Sequence, residues 1–176
     1  MVTPHPQGPG TLHRPVTADE HRQAMRHLAT GVAVLTTRHD GLPHAMTLNT
    51  VLSVSTRPPT LLVSLGTQSR THGILHSAAC YTVNILASDQ RHLAERFAAK
   101  RPMGMSQFDG VPWEPSPITG NPVLPDGLLA IDCRIGRRIP IADHTLFIGD
   151  VLGVTPARTG AAPLVFACGD YEPEGR

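Results

Sequence analysis

The stretch Ala45-Met46-Thr47-Leu48-Asn49-Thr50-Val51-Leu52-Ser53-Val54-Ser55-Thr56-Arg57-Pro58-Pro59, followed by the apolar run Leu61–Leu65, decides how this chain is read. β-branched and apolar residues alternate there with short hydroxyl and amide side chains, a composition that suits strands better than helices. Thr47, Asn49, Thr50, Ser53 and Ser55 donate and accept hydrogen bonds at short reach. A flat ring with polar atoms along its edge is the kind of ligand such a row fits. The plain alternative is that Thr and Ser on a strand simply face solvent. Pro58 and Pro59 stop the segment before the next strand.

Working outward, the pattern stays that of short strands with few helices. Thr17 and Glu20 are spaced as a capping box before a helix over residues 18–29, with Ala24, Met25 and Leu28 on one face and Gly31 ending it. Strands are predicted over 32–37 and 43–48, joined by an Asp40-Gly41 hairpin turn. Further strands follow near 50–55 and 61–65. Ser69–Ser77 reads as a helix with Ile74 and Leu75 inward, and Tyr81–Leu86 as a strand. Ser88 is placed to cap a helix over 89–99. Residues 100–126 are rich in Pro and Gly and read as a long loop, functional or mobile. Strands near 127–139, 144–155 and 163–168 complete the chain. No alternation of strand and helix points to a parallel sheet, so the pattern is all-β with a few short helices, consistent with a Greek-key barrel.

The 176 residues fit one domain over 17–176, behind a polar tail at 1–16 that is rich in Pro, Gly and His and reads as disordered. A formal net charge of +1 gives no electrostatic case for nucleic acid or an anionic membrane. Neither a signal peptide nor a membrane-spanning run is seen. Cys80, Cys133 and Cys168 match no zinc or redox spacing and read as small core residues in a reducing cytoplasm. His72 and His76 stand four apart, but no third metal ligand accompanies them. The chain carries neither GxGxxG after a strand nor a Walker A segment, so any dinucleotide is bound without a Rossmann unit.

Several motifs, taken together and in order, resemble the short-chain flavin reductases. They are His21–Met25, Ala29-Thr30-Gly31-Val32-Ala33-Val34-Leu35-Thr36-Thr37, the 45–59 stretch, Tyr81-Thr82-Val83-Asn84-Ile85-Leu86, Arg96-Phe97-Ala98, Phe108-Asp109-Gly110-Val111, Asp143-His144-Thr145-Leu146-Phe147-Ile148-Gly149 and Pro163-Leu164-Val165-Phe166. The resemblance covers residues 17–171. It implies an FMN-binding split β-barrel and hydride transfer from NADH or NADPH to FMN or FAD. It also implies a homodimer whose site draws on both protomers, and a separate monooxygenase that receives the reduced flavin.

Carried over position by position, the resemblance places Thr47, Asn49, Thr50, Ser53, Val54 and Ser55 along the isoalloxazine rim, with Ser64, Leu65 and Gly66 at the end of the following strand. It places the flavin phosphate at Ser69, Arg70 and Thr71. There the residues themselves agree, because a helix start with hydroxyls and an Arg suits a phosphate, although an ordinary N-cap also explains Ser69. Phe97 and Phe108 are either site aromatics or core. His144 is implied beside the nicotinamide and flavin as the catalytic histidine, orienting or stabilising charge; its alternative is a turn histidine partnered by Asp143. Ala45, Thr50, Ala142 and Ser106-Gln107 depart from the family's usual Gly, Ser, Gly and Asp-Arg. Two other functions stay open. One is a split barrel holding FMN tightly and reducing another acceptor, such as a cobalt corrinoid. The other is a non-catalytic haem- or ligand-binding module.

Overall fold

The computed structural model describes residues 14–100, 106–156 and 158–172. Most of the expected tail at 1–16 and part of the 100–126 loop lie outside the described residues. The chain opens with α1 (Ala18–Met25), β1 (Thr30–Gly31), β2 (Ala33–His39), β3 (Leu42–Leu48), β4 (Val51–Thr56) and β5 (Pro59–Gly66). It continues through α2 (Arg70–Ser77), β6 (Cys80–Ile85), a 3₁₀ turn at Ser88–Gln90 and α3 (Arg91–Ala98). Then come β7 (Glu114–Pro115), β8 (Pro122–Val123), β9 (Leu129–Ile141), β10 (His144–Pro156), β11 (Val165–Ala167) and β12 (Asp170–Tyr171).

Seven of these strands form one antiparallel sheet in the order β3-β2-β6-β9-β10-β5-β4. The two edge strands, β3 and β4, are consecutive in the chain and joined only by Asn49 and Thr50. Three Cα steps reach at most ~11 Å, so the sheet's two edges converge at that link. The strands are also strongly staggered. Through the pairings, Leu48 stands level with Ala33, Ile85, Leu129 and Pro156, whereas Val51 stands level with Val63 and Phe147 on the same long β10.

Side chains alternate across the sheet. Leu35, Val63, Leu65, Tyr81, Val83 and Phe147 point to one core. Val34 and Ala45 point to a second core, which α3 closes with Leu93, Ala94 and Phe97. Strand β2 is therefore buried on both faces. Tyr81 lies so close over β10 that a Cβ at Gly149 would come 2.6 Å from its hydroxyl, which leaves only glycine room there.

The capping box forms as its spacing predicts: Thr17 Oγ1 accepts from the Glu20 amide at 3.2 Å, and the Thr17 amide donates to Glu20 Oε2 at 2.9 Å. The Asp40-Gly41 turn also forms, with both residues at positive φ between His39 and Leu42. Helix α1, however, ends at Met25 rather than near 29. Its last turn tightens, with His27 N donating to Ala24 O and Leu28 N to Met25 O, and the chain is then drawn into pairing with β11. The apolar face of this helix is not packed: α1 buries no residue, and Met25 and Leu28 remain 44% and 56% exposed.

Of the three cysteines only Cys133 is buried. Cys80 is half-buried, and Cys168 is exposed in the β11–β12 hairpin turn. The expectation of three core cysteines is corrected there, because Cys168 and Gly169, both at positive φ, form a two-residue turn at the surface.

Candidate functional site

The end of β5, the β9–β10 turn and the β3–β4 link come together at one end of the sheet. Gly66 pairs with His144, and Val51 with Val63, which leaves Asn49 and Thr50 beside the last residues of β5. Thr67 fixes this junction, since its amide and its hydroxyl both donate to the Asp143 carbonyl, at 2.9 and 3.1 Å. His144 and the 66–71 segment, far apart in sequence, are thus neighbours.

The His144 ring lies over Gly66, where an added Cβ would meet Nε2 at 3.7 Å. His144 Nδ1 is 2.8 Å from Asp143 Oδ1. The imidazole beside Asp143 holds that carboxyl below its usual range, so the carboxylate accepts and Nδ1 donates. The partnership with Asp143 is present, as the turn-histidine alternative expects, but it engages only Nδ1, and Nε2, over Gly66, bonds no described residue.

The polar candidates divide sharply. The side chains of Asn49, Thr50, Ser53, Ser64 and Arg70 make no hydrogen bond or ion pair to any described residue, and all but Ser64 are exposed. Val54 is half exposed, at a bulge that interrupts β4 between Ser53 and Ser55. The others are spent internally. Thr47 Oγ1 donates to Ala94 O at 2.7 Å, Ser55 Oγ accepts from the Arg57 amide at 3.1 Å, and Ser69 Oγ accepts from the His72 amide at 3.1 Å as the α2 N-cap. Leu65 and Thr71 are buried.

Of the two alternatives for the aromatics, the structure favours packing. Phe97 and Phe108, at 2% and 6% exposed, stack at 5.1 Å between ring centroids inside the α3 core, so packing accounts for both. His72 and His76 gather no third ligand among the described residues, and His72 Nε2 instead bonds Thr145 Oγ1 at 2.9 Å. Arg70 makes itself felt on β3: burial first, and then the Arg70 charge, depress the proton affinity of His44.

A cleft of about 470 Å³ opens beside this end of the sheet. Asn49, Thr50 and Val51 form one wall, and Arg22, Met25, Arg26 and Leu28 from the α1 end form another. A smaller hollow continues it past Thr47, Phe166 and Tyr171. Met25, Leu28, Thr30 and Phe166 were not legible as site residues. The available signal is the apolar face of the α1 segment, which no described residue buries.

Residues 25–175 match the model of the flavin reductase like domain. The chain belongs to this family. An NADH-dependent FMN reductase, AsuE2, from Streptomyces nodosus subsp. asukaensis is 36% identical over 86% of this chain and 82% of its own length. The reductase subunit HsaB of a flavin-dependent monooxygenase from Mycobacterium tuberculosis (strain ATCC 25618 / H37Rv) is 32% identical over 87% of the chain and 82% of its own length. Among solved structures, the NADH:FAD oxidoreductase SgcE6 of Streptomyces globisporus C-1027 superimposes with a TM-score of 0.86 at 29% identity, over 96% of this flavin reductase like chain and all of its own. The same oxidoreductase in complex with NAD and FAD fragments gives a TM-score of 0.84 at 28% identity, over 94% and 98% of the two chains.

Proposed function

We propose that the protein is an NAD(P)H:flavin oxidoreductase that passes a hydride from NADH or NADPH to FMN or FAD and supplies the reduced flavin to a separate monooxygenase. The observation that carries the reading is the set Asn49, Thr50 and Ser64, whose side chains bond no described residue, near His144 and Arg70 at one end of the sheet. Neutral donors and acceptors of this kind suit the polar edge of an isoalloxazine ring, and the exposed Arg70 at the start of α2 suits its phosphate. The flavin, when bound, supplies the hydride-accepting ring. The protein's part is to hold donor and acceptor face to face at about 3–3.5 Å, which needs no side-chain base. His144, fixed through Asp143 and Thr67, orients the nicotinamide with the free edge of its imidazole.

The finer architecture belongs to the same proposal. Converging edges and strong stagger are the conditions for a sheet to roll into a barrel. We infer a split barrel, open where Asn49 and Thr50 join the edges. We also infer a homodimer. Leu52, Leu62 and Ile148 stand side by side across β4, β5 and β10, on the face that also carries Ser64, Gly66 and His144. Leu52 and Val54 are 58% and 50% exposed. A twofold partner covering this apolar wall would border the flavin site. No helix among the described residues is long and apolar enough to cross a membrane. We place the enzyme in the cytoplasm, where its cysteines stay reduced.

One steady-state assay tests the activity: NADH and NADPH oxidation, each with FMN, FAD or no flavin. Oxidation that depends on added flavin is expected. A protein that purifies yellow and turns over without added flavin would be the tight-FMN alternative, and one that shows a Soret band and no NAD(P)H oxidation would be the haem module. Sedimentation should report a dimer; a monomer that still reduces flavin would sink the shared site.

A further inference from the structure

The cleft under the end of α1 has a chemistry that the ring's rim does not explain. Arg26 lies across the β11–β12 turn, its guanidinium so close to Gly169 that a Cβ there would meet it at 2.9–3.1 Å. It forms no ion pair and no side-chain hydrogen bond with any described residue. A basic residue at a helix C-terminus often serves only to satisfy the last carbonyls. Arg26 does not, because its side chain bonds none of them. Arg22, one turn earlier, lines the same cleft and is paired with Asp19. Thr30 also lines it, and its Oγ1 is shielded from solvent with no hydrogen-bond partner. Buried hydroxyls are ordinarily satisfied, so one left open in a lining that also carries two arginines marks a place for an acceptor. The acidic groups nearby do not fill that place: Asp19 binds Arg22, and Asp170 faces Arg91 at 3.1 Å.

We propose that this cleft is a phosphate subsite for a dinucleotide whose ring end lies on Asn49 and Thr50. Arg26 is its principal cation, Arg22 its second charge, and Thr30 donates its hydroxyl. The proposal rests on the flavin reductase reading. It is distinct from the phosphate position at Arg70, which would take the phosphate nearest the flavin ring. The α1 cleft takes a phosphate that only a dinucleotide carries, from FAD or from NAD(P)H.

The test uses the full chain carrying Arg26→Gln, which keeps hydrogen-bonding capacity and removes the charge. Riboflavin, FMN, FAD and ADP-ribose are titrated against it and wild type, KM for NADH is measured with FMN as acceptor, and thermal midpoints are compared. The proposal expects FAD or ADP-ribose to bind about tenfold more weakly. Riboflavin and FMN should stay within about twofold, with an unchanged midpoint. A loss confined to FAD assigns the subsite to the flavin. A loss for ADP-ribose together with a raised KM for NADH assigns it to the donor. Arg26→Lys should recover part of either loss, and Thr30→Val should reproduce it in weaker form. Unchanged affinity for both FAD and ADP-ribose would overturn the proposal, as would an equal loss for riboflavin. If wild type neither binds nor reduces flavin, yet ADP-ribose affinity still depends on Arg26, the proposed activity falls and the subsite stands.

Discussion

Asp132 and Asn84 are buried with all their side-chain polar atoms engaged, whereas the side chains of Asn49 and Ser53 are exposed and engaged by no described residue. Asp132 accepts from Thr82 Oγ1 at 2.6 Å, Ser116 Oγ at 2.7 Å and Thr119 Oγ1 at 2.6 Å. Asn84 donates to Val34 O and Thr36 Oγ1, both at 3.2 Å, and accepts from the Leu124 amide at 2.9 Å. Thr36 Oγ1 in turn donates to Pro122 O at 2.6 Å. These bonds pin residues 116–124 onto β2, β6 and β9. The same residue types therefore do two jobs. Saturated and buried, they hold a loop that has little regular structure of its own. Exposed and unengaged by any described residue, at the link between the sheet edges and on β4 beyond it, they are groups that we propose meet the flavin.

The largest way to break this contrast is Asp132→Ala. It strands three hydroxyl donors, and the expected loss of stability is roughly 3–5 kcal/mol, read from the denaturant midpoint. Flavin affinity of the fraction that stays folded should be nearly normal. A variant that keeps its stability but loses flavin would move Asp132 from the scaffold to the site.

His144→Ala acts on the other side of the contrast. It should lower kcat/KM for NAD(P)H by roughly ten- to a hundredfold, equivalent to about 1.4–2.8 kcal/mol of transition-state stabilisation. The flavin titration should change little, and so should the unfolding midpoint, because the ring is exposed. If kcat/KM stays at the wild-type value, the Asp143–His144 pair is only a turn.

Asn49→Ala sharpens the contrast by comparison with Asn84. Leaving the ligand's edge unpaired should weaken flavin binding about tenfold, within the 1–3 kcal/mol typical of an unsatisfied polar group. The thermal midpoint should hold, since the Asn49 side-chain amide bonds no described residue. Unfolding without a binding defect would make Asn49 a second Asn84.

Short runs of apolar and β-branched residues bounded by turn signals revealed β2, β3, β5 and β6, because each has at least one face in a core. Turn and cap chemistry revealed Asp40-Gly41, Thr17–Glu20 and Ser69, because these are local bonds between near neighbours. The rest depends on tertiary closure. The two-residue link Asn49–Thr50 looks like any hairpin until β3 and β4 are seen as opposite edges of one sheet. Residues 116–124 have loop composition, and a pattern built on apolar period cannot show that Ser116 and Thr119 are anchored to a buried Asp132. The motif around Phe97 leaves site and core both open, although its spacing from Leu93 matches the buried face of α3. Arg26 and Thr30 had no signal, because their meaning comes from Gly169 and Phe166 far along the chain.

The smallest expected effect concerns the turn that carries His144. Ala142 sits at φ +50°, a left-handed conformation that costs a non-glycine residue about 1–2 kcal/mol. Glycine removes that strain but gives the unfolded chain more freedom, worth about 0.5–1 kcal/mol in the opposite direction. Ala142→Gly should therefore stabilise the fold by only about 0.5–1 kcal/mol in denaturant unfolding. Its effect on kcat/KM should be within about twofold, since the two bonds from Thr67 to the Asp143 carbonyl hold the turn whatever residue precedes it. A loss of stability would show that the strain is absent. A rise in stability with a clear drop in kcat/KM would show that Ala142 itself restricts the turn, and that the position of His144 depends on the stiffness of this turn as well as on its anchors.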